Sequence, residues 1–130
     1  MELIHIPMSP GELLDKITIL EIKSERITDA EKVANVRREL ELLNATWAVA
    51  VISDDTVERL HRELKAINEE LWEIEDDIRD KERVREFDER FIELARAVYF
   101  TNDKRAAAKK ELNLHLGSQI VEEKSYQDYA

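Results

Sequence analysis

Residues 57–81 read VERLHRELKAINEELWEIEDDIRDK. In this stretch Val57, Leu60, Leu64, Ile67, Leu71, Ile74 and Ile78 recur at alternating spacings of three and four, which places them along one seam of a helix. At ~1.5 Å per residue the helix is roughly 37 Å long, and an apolar seam of that length is stable in water only under a cover of further helices. The remaining sequence has to supply that cover.

Before the long helix, Leu3, Ile4 and Ile6 suggest a short extended segment ending at Pro7. Ser9, Pro10 and Glu12 then spell a helix start with a capping box, and Met8 is placed to staple onto Leu13. In this first helix Leu13, Ile17, Leu20 and Ile27 share one side, whereas Ile19 and Ile22 project to the other. A helix apolar on two sides is covered on two sides, so it belongs at the centre of the molecule or at a subunit interface. TDAE at 28–31 is a second capping box, and Val33, Val36, Leu40, Leu43, Trp47 and Ala50 form the heptad seam of a second helix. Its AVAVI end, apolar all round, is expected to be buried. Ser53, Asp54 and Asp55 break the pattern, with Asp55 and Glu58 placed to cap the long helix. The short connection predicts that the second and third helices form an antiparallel hairpin with matched seams.

Beyond the long helix, Asp88 is the next cap, with Phe87 and Ile92 flanking it as a staple. A fourth helix runs to Gly117, where a left-handed C-terminal residue is expected. Ile120 and Val121 in the following tail could pair with residues 3–6 as a two-stranded ribbon on the bundle, or with another subunit's copy, and Tyr126 and Tyr129 could anchor that tail. The expectation is an all-α, antiparallel bundle of about four helices, with a long coiled-coil-like hairpin and short extended termini, forming a single domain over residues 1–130.

The composition narrows the function. Thirty acidic against 20 basic side chains give a formal charge of −10, a sign that repels nucleic-acid phosphates and anionic lipid headgroups. Nucleic acid is therefore not an expected partner. No apolar run approaches the ~20 residues of a membrane-spanning helix, and the opening MELIHIPMSPGELL lacks a basic run followed by an apolar core. With no cysteine, neither disulfides nor thiolate metal sites are possible. A cytoplasmic protein without membrane insertion is the expectation.

Cofactor signatures are missing too. There is no glycine-rich phosphate loop, no serine nucleophile elbow and no Glu-x-x-His pattern, and His5, His61 and His115 stand apart from one another, so neither a metal nor a cofactor is expected. Glu69, Glu73, Asp76 and Asp80 share one face of the long helix, a pattern that pairs of helices use to hold Mg²⁺ in pyrophosphohydrolases. A solvated outer face explains the same stripe. In the fourth helix the apolar stripe of Phe91, Leu94 and Val98 resumes only at Ala108 and Leu112, and the same face passes through Thr101, Asn102 and Arg105 between them. A polar layer thus interrupts the core, and at least one of Asp15, Lys16 and Glu21, crowded by apolar neighbours, should be partly buried beside it.

Two readings of that layer compete. In one, Arg105 pairs with a carboxylate of the first helix and fixes register. In the other, Lys16, Glu21, Asn102 and Arg105 surround a pocket for an anionic or sugar-like ligand. Trp72 lies off the main seam, and together with Ile19 and Ile22 it suggests a subunit interface, so a homodimer or a complex with another protein is expected.

SPGELLDKITILEIKSERI, NVRRELELL, NEELWEIEDDIRDKE, FIELARAVYFTNDKRAAAKKELN and VEEKSY together resemble an uncharacterised bacterial family of small helical proteins, a domain of unknown function. LARAVYFTND and VEEKSY are the most specific parts. The resemblance covers nearly the whole chain and implies a neighbourhood of cell-surface polysaccharide and glycosyltransferase genes, hence an accessory role beside sugar transfer. It carries over no catalytic residue. A looser likeness to all-helical chorismate mutases, through Arg26 and Arg37, is an analogy of fold only.

Overall fold

The computed structural model describes residues 1–129, and within them the chain forms four helices: α1 (Pro10–Arg26), α2 (Ala30–Ala50), α3 (Asp55–Arg83) and α4 (Glu89–His115). Each begins on a side-chain cap. Ser9 Oγ accepts from the Glu12 amide at 3.2 Å, Asp29 from Lys32 at 3.0 Å, Asp54 from Val57 at 2.8 Å and Asp88 from Phe91 at 3.0 Å. These bonds satisfy amides that the helix itself leaves unpaired. The caps of α2 and α3 are therefore Asp29 and Asp54, each one residue away from its expected place at Thr28 or Asp55. Phe87 meets Phe91 edge to face at 5.1 Å.

Two helices end in the same way. After α4, Gly117 turns left-handed at φ 65°, the Ser118 amide donates to the Asn113 carbonyl at 2.8 Å, and that of Gly117 to Leu114 at 3.3 Å. After α3 the same double bond forms around Arg85 at φ 56°, with Glu86 donating to Lys81 and Arg85 to Glu82. Glycine takes that conformation freely, whereas arginine takes it at a steric cost.

α3 and α4 form the long antiparallel hairpin, and α1 lies across them while also contacting α2. The central place expected for α1 is thus observed. Gly11 makes this possible at the top of α1, where its amide donates to Asn113 Oδ1 at 2.7 Å. A Cβ there would stand 2.5 Å from the Lys109 carbonyl oxygen, so a larger residue would force α1 off α4. The main apolar cluster joins Leu14 of α1, Val57, Leu60 and Leu64 of α3, and Ala108 and Leu112 of α4.

α2 departs from expectation. It packs along α1, and among the described residues its backbone does not approach α3 or α4 closely, so the α2–α3 hairpin does not form. The seam of α3 is instead taken by α1 and α4. Covered by one helix only, Val33, Val36, Leu40, Leu43 and Trp47 remain half-buried, and α2 holds no buried residue. The AVAVI end is correspondingly open: Val49 is 91% and Ile52 92% exposed, while Trp47 and Val51 rest against the core cluster.

The expected ribbon between the two ends of one chain is also absent, since the described residues contain no strand. Leu3, Ile4 and Ile6 are exposed, and the tail instead runs back along α4. Glu122 reaches Lys109 at 3.1 Å, Glu123 reaches Lys110 at 3.6 Å, and Tyr129 donates to Asp103 at 2.7 Å while packing on Tyr99 and Phe100. Tyr129 anchors the tail as expected, whereas Tyr126 is exposed.

Candidate ligand cleft

The polar layer centres on Asp15, 2% exposed in the middle of α1. Arg105 Nε donates to Asp15 Oδ1 at 2.8 Å, and its terminal nitrogen donates to Oδ2, a two-pronged pair of the strongest kind. From α3, Asn68 Nδ2 donates to both Asp15 Oδ1 and Thr18 Oγ1 at 2.9 Å. Asp15 is thus one of the three α1 residues expected to be partly buried, and it lies wholly inside. Its hydrogen bond holds the Arg105 guanidinium above its ordinary pKa, against the opposing effect of burial.

A second buried charge stands one helical turn further along α4. Lys109 lies between Glu12 at 2.8 Å and Glu122 at 3.1 Å. Burial alone would lower its pKa, and the hydrogen bonds that Lys109 donates to the two carboxylates reverse that and raise it. Sequence reasoning missed this triad and the role of Asn68. The signal for Asn68 is a polar residue one step past Ile67 on the seam of α3, exposed to view only once α1 is known to lie there.

Beside the polar layer, α1, α3 and α4 enclose a cleft of about 440 Å³, within the range of small-molecule sites. Asn102 and Arg105 line it together with Ile19, Ile22 and Trp72, so two of the four ligand candidates and all three interface candidates meet in one place. Ile22 is 1% exposed and forms the floor. Lys16 and Glu21 do not line the cleft: Lys16 reaches Glu39 of α2 at 3.1 Å, and Glu21 contacts His61 at 2.8 Å. Arg105 presents an edge but is held by Asp15. Among the described residues, the polar and aromatic side chains of the cleft lining with no ion pair or hydrogen bond are Lys23, Trp72, Asp76 and Asn102. They offer donors, an acceptor, an amide with both capacities and an aromatic face.

The acidic stripe does not gather into a metal site. Glu69 and Glu73 face Arg26 at 3.7 and 3.3 Å, Asp80 faces Arg83 at 3.3 Å, and no group of three or more potential metal ligands occurs among the described residues. Arg26 is thereby engaged, Arg37 is exposed on α2, and neither lines the cleft. No helix among the described residues is long and apolar enough to cross a membrane.

Fold and cleft together define a small all-helical protein, a three-helix core carrying a fourth helix on its flank. The chain belongs to the family of unknown function DUF6165, whose model matches residues 4–129. No curated protein and no solved structure matches it.

Proposed function

We propose that the protein is a cytoplasmic accessory module, working as a homo-oligomer or beside another protein, that binds a hydroxylated, sugar-like ligand in the cleft between α1, α3 and α4. The observation that carries this reading is the set of unengaged groups around Trp72. A hydroxyl both donates and accepts, so a ring of hydroxyls matches the mixture of Lys23, Asp76 and Asn102, and the apolar face of a sugar ring suits an indole. Such a ligand also fits a role beside surface-polysaccharide synthesis. Catalysis at the cleft is less well supported, because Arg105 and Asn68 are already engaged by Asp15.

The test is thermal unfolding against a panel of nucleotide sugars, sugar phosphates and sugar acids, paired with Trp72 fluorescence in a Trp47→Phe background. A true ligand stabilises by about 2.7 kcal/mol at a hundredfold excess over its dissociation constant. The expected result is saturable stabilisation that is lost in Trp72→Ala and Asn102→Ala and kept in Lys16→Ala. A panel without effect, or stabilisation that survives both cleft variants, rejects the reading.

A further inference from the structure

Two apolar surfaces of this chain stand uncovered at the same end of the molecule. One is residues 1–8, without regular secondary structure, in which Leu3, Ile4 and Ile6 are exposed. The other is the outer face of α2: Leu42, Ala45 and Val49 recur at spacings of four or less on the side turned away from α1, and Ile52 follows just past the helix end. Topology brings the two together. α2 runs antiparallel to α1, so its last turn, with Trp47 and Val51 on the core cluster beside Leu14, lies where residues 1–8 enter α1. Within one chain neither surface covers the other.

We infer that a second copy of the chain docks here, each copy laying residues 1–8 across the outer face of the partner's α2. Three observations favour a second copy over another protein. First, both halves of the contact belong to one chain and both are unfilled, so a two-fold axis satisfies them at once and closes the assembly. Second, residues 42–52 carry no charged side chain and residues 1–8 carry only Glu2, so two molecules each of charge −10 meet where repulsion is least. Third, the two segments supply about 20 residues per side, the number that a stable interface takes. This places the interface on α2 and away from Ile19, Ile22 and Trp72, leaving the cleft open in the dimer.

The mass of the full chain, followed by light scattering across a wide concentration range, tests the inference. The expected mass rises from 15.3 kDa toward twice that value. The variants Val49→Glu/Ile52→Glu and Leu3→Glu/Ile4→Glu each hold it at the lower value with unchanged helical circular dichroism, since these side chains touch little in the single chain. A wild type that stays monomeric overturns the inference, as does a dimer that survives either variant or is dissociated only by Trp72→Glu. Because the chain has no cysteine, Ile4→Cys chains can be mixed with Val49→Cys chains under oxidation. Disulfides joining unlike chains are expected; joining of like chains alone overturns the reciprocal arrangement.

Discussion

A carboxylate as enclosed as that of Asp15 is stable only while Arg105 and Asn68 face it, because an uncompensated charge in the interior costs several kcal/mol. Arg105→Ala is therefore expected to lower the unfolding free energy by about 2–3 kcal/mol in urea titration, somewhat less than for a wholly buried pair because the guanidinium keeps some contact with solvent. Asn68→Ala removes neutral donors and is expected to cost about 1–2 kcal/mol. The double variant should fall short of the sum, since both residues serve one acceptor. A strictly additive pair would mean that the two act independently on Asp15. That Arg105 meets an acid of α1 was legible from the break in the apolar stripe of α4. Which acid it meets was not, because Asp15 and Glu21 both stand beside apolar neighbours in sequence, and only the rotation of α1 about its axis distinguishes them.

At the scale of the helix, the ends are set by short-range chemistry and were largely readable. Ser9 and Asp88 cap where the pattern placed them, while α2 and α3 each offered two adjacent capping residues and the structure uses Asp29 and Asp54. The Val57 amide, and next the His115 side chain, hold the Asp54 carboxyl below the usual aspartate range; Lys81, and next the Phe91 amide, do the same for Asp88. A carboxyl whose pKa is lower in the folded than in the unfolded chain adds stability at pH values above its unfolded pKa and loses it as the pH falls through the folded one. Stability is therefore expected to be flat with respect to these two groups above pH ~5 and to decline below the ordinary aspartate pKa of about 3.9. Asp54→Asn and Asp88→Asn, which retain a capping oxygen, should flatten that decline in acid titrations followed by circular dichroism. An unchanged acid limb in both would mean that the caps are not its source.

Which helices become neighbours is decided at the scale of the whole molecule, and here the sequence was least explicit. The seams of α2 and α3 have the same period, and a short loop joins them, yet α3 pairs with α4 and α1 because those helices bury its seam from two sides. Heptad spacing states that a face must be covered without naming the cover. The outcome is an uneven distribution of stability. α2, with no buried residue and one neighbouring helix, should exchange its amide hydrogens fastest among the four helices, and the part of α3 around Leu60 and Leu64 slowest. Equal protection of α2 and α3 in a monomeric sample would contradict this gradient.

The position of Asp15 also has a bearing on the order in which the chain is made. Its partners Asn68 and Arg105 follow it by 53 and 90 positions, and the Gly11–Asn113 bond spans 102. As the chain leaves the ribosome, α1 and α2 emerge first and can pair, but the carboxylate on the still uncovered side of α1 has no donor to meet and stays hydrated. Burying that side of α1 before the donors arrive would carry the cost of an unpaired interior charge. Only when α4 arrives do Arg105 and Asn113 reach α1 together, so the last helix synthesised completes the burial of the first.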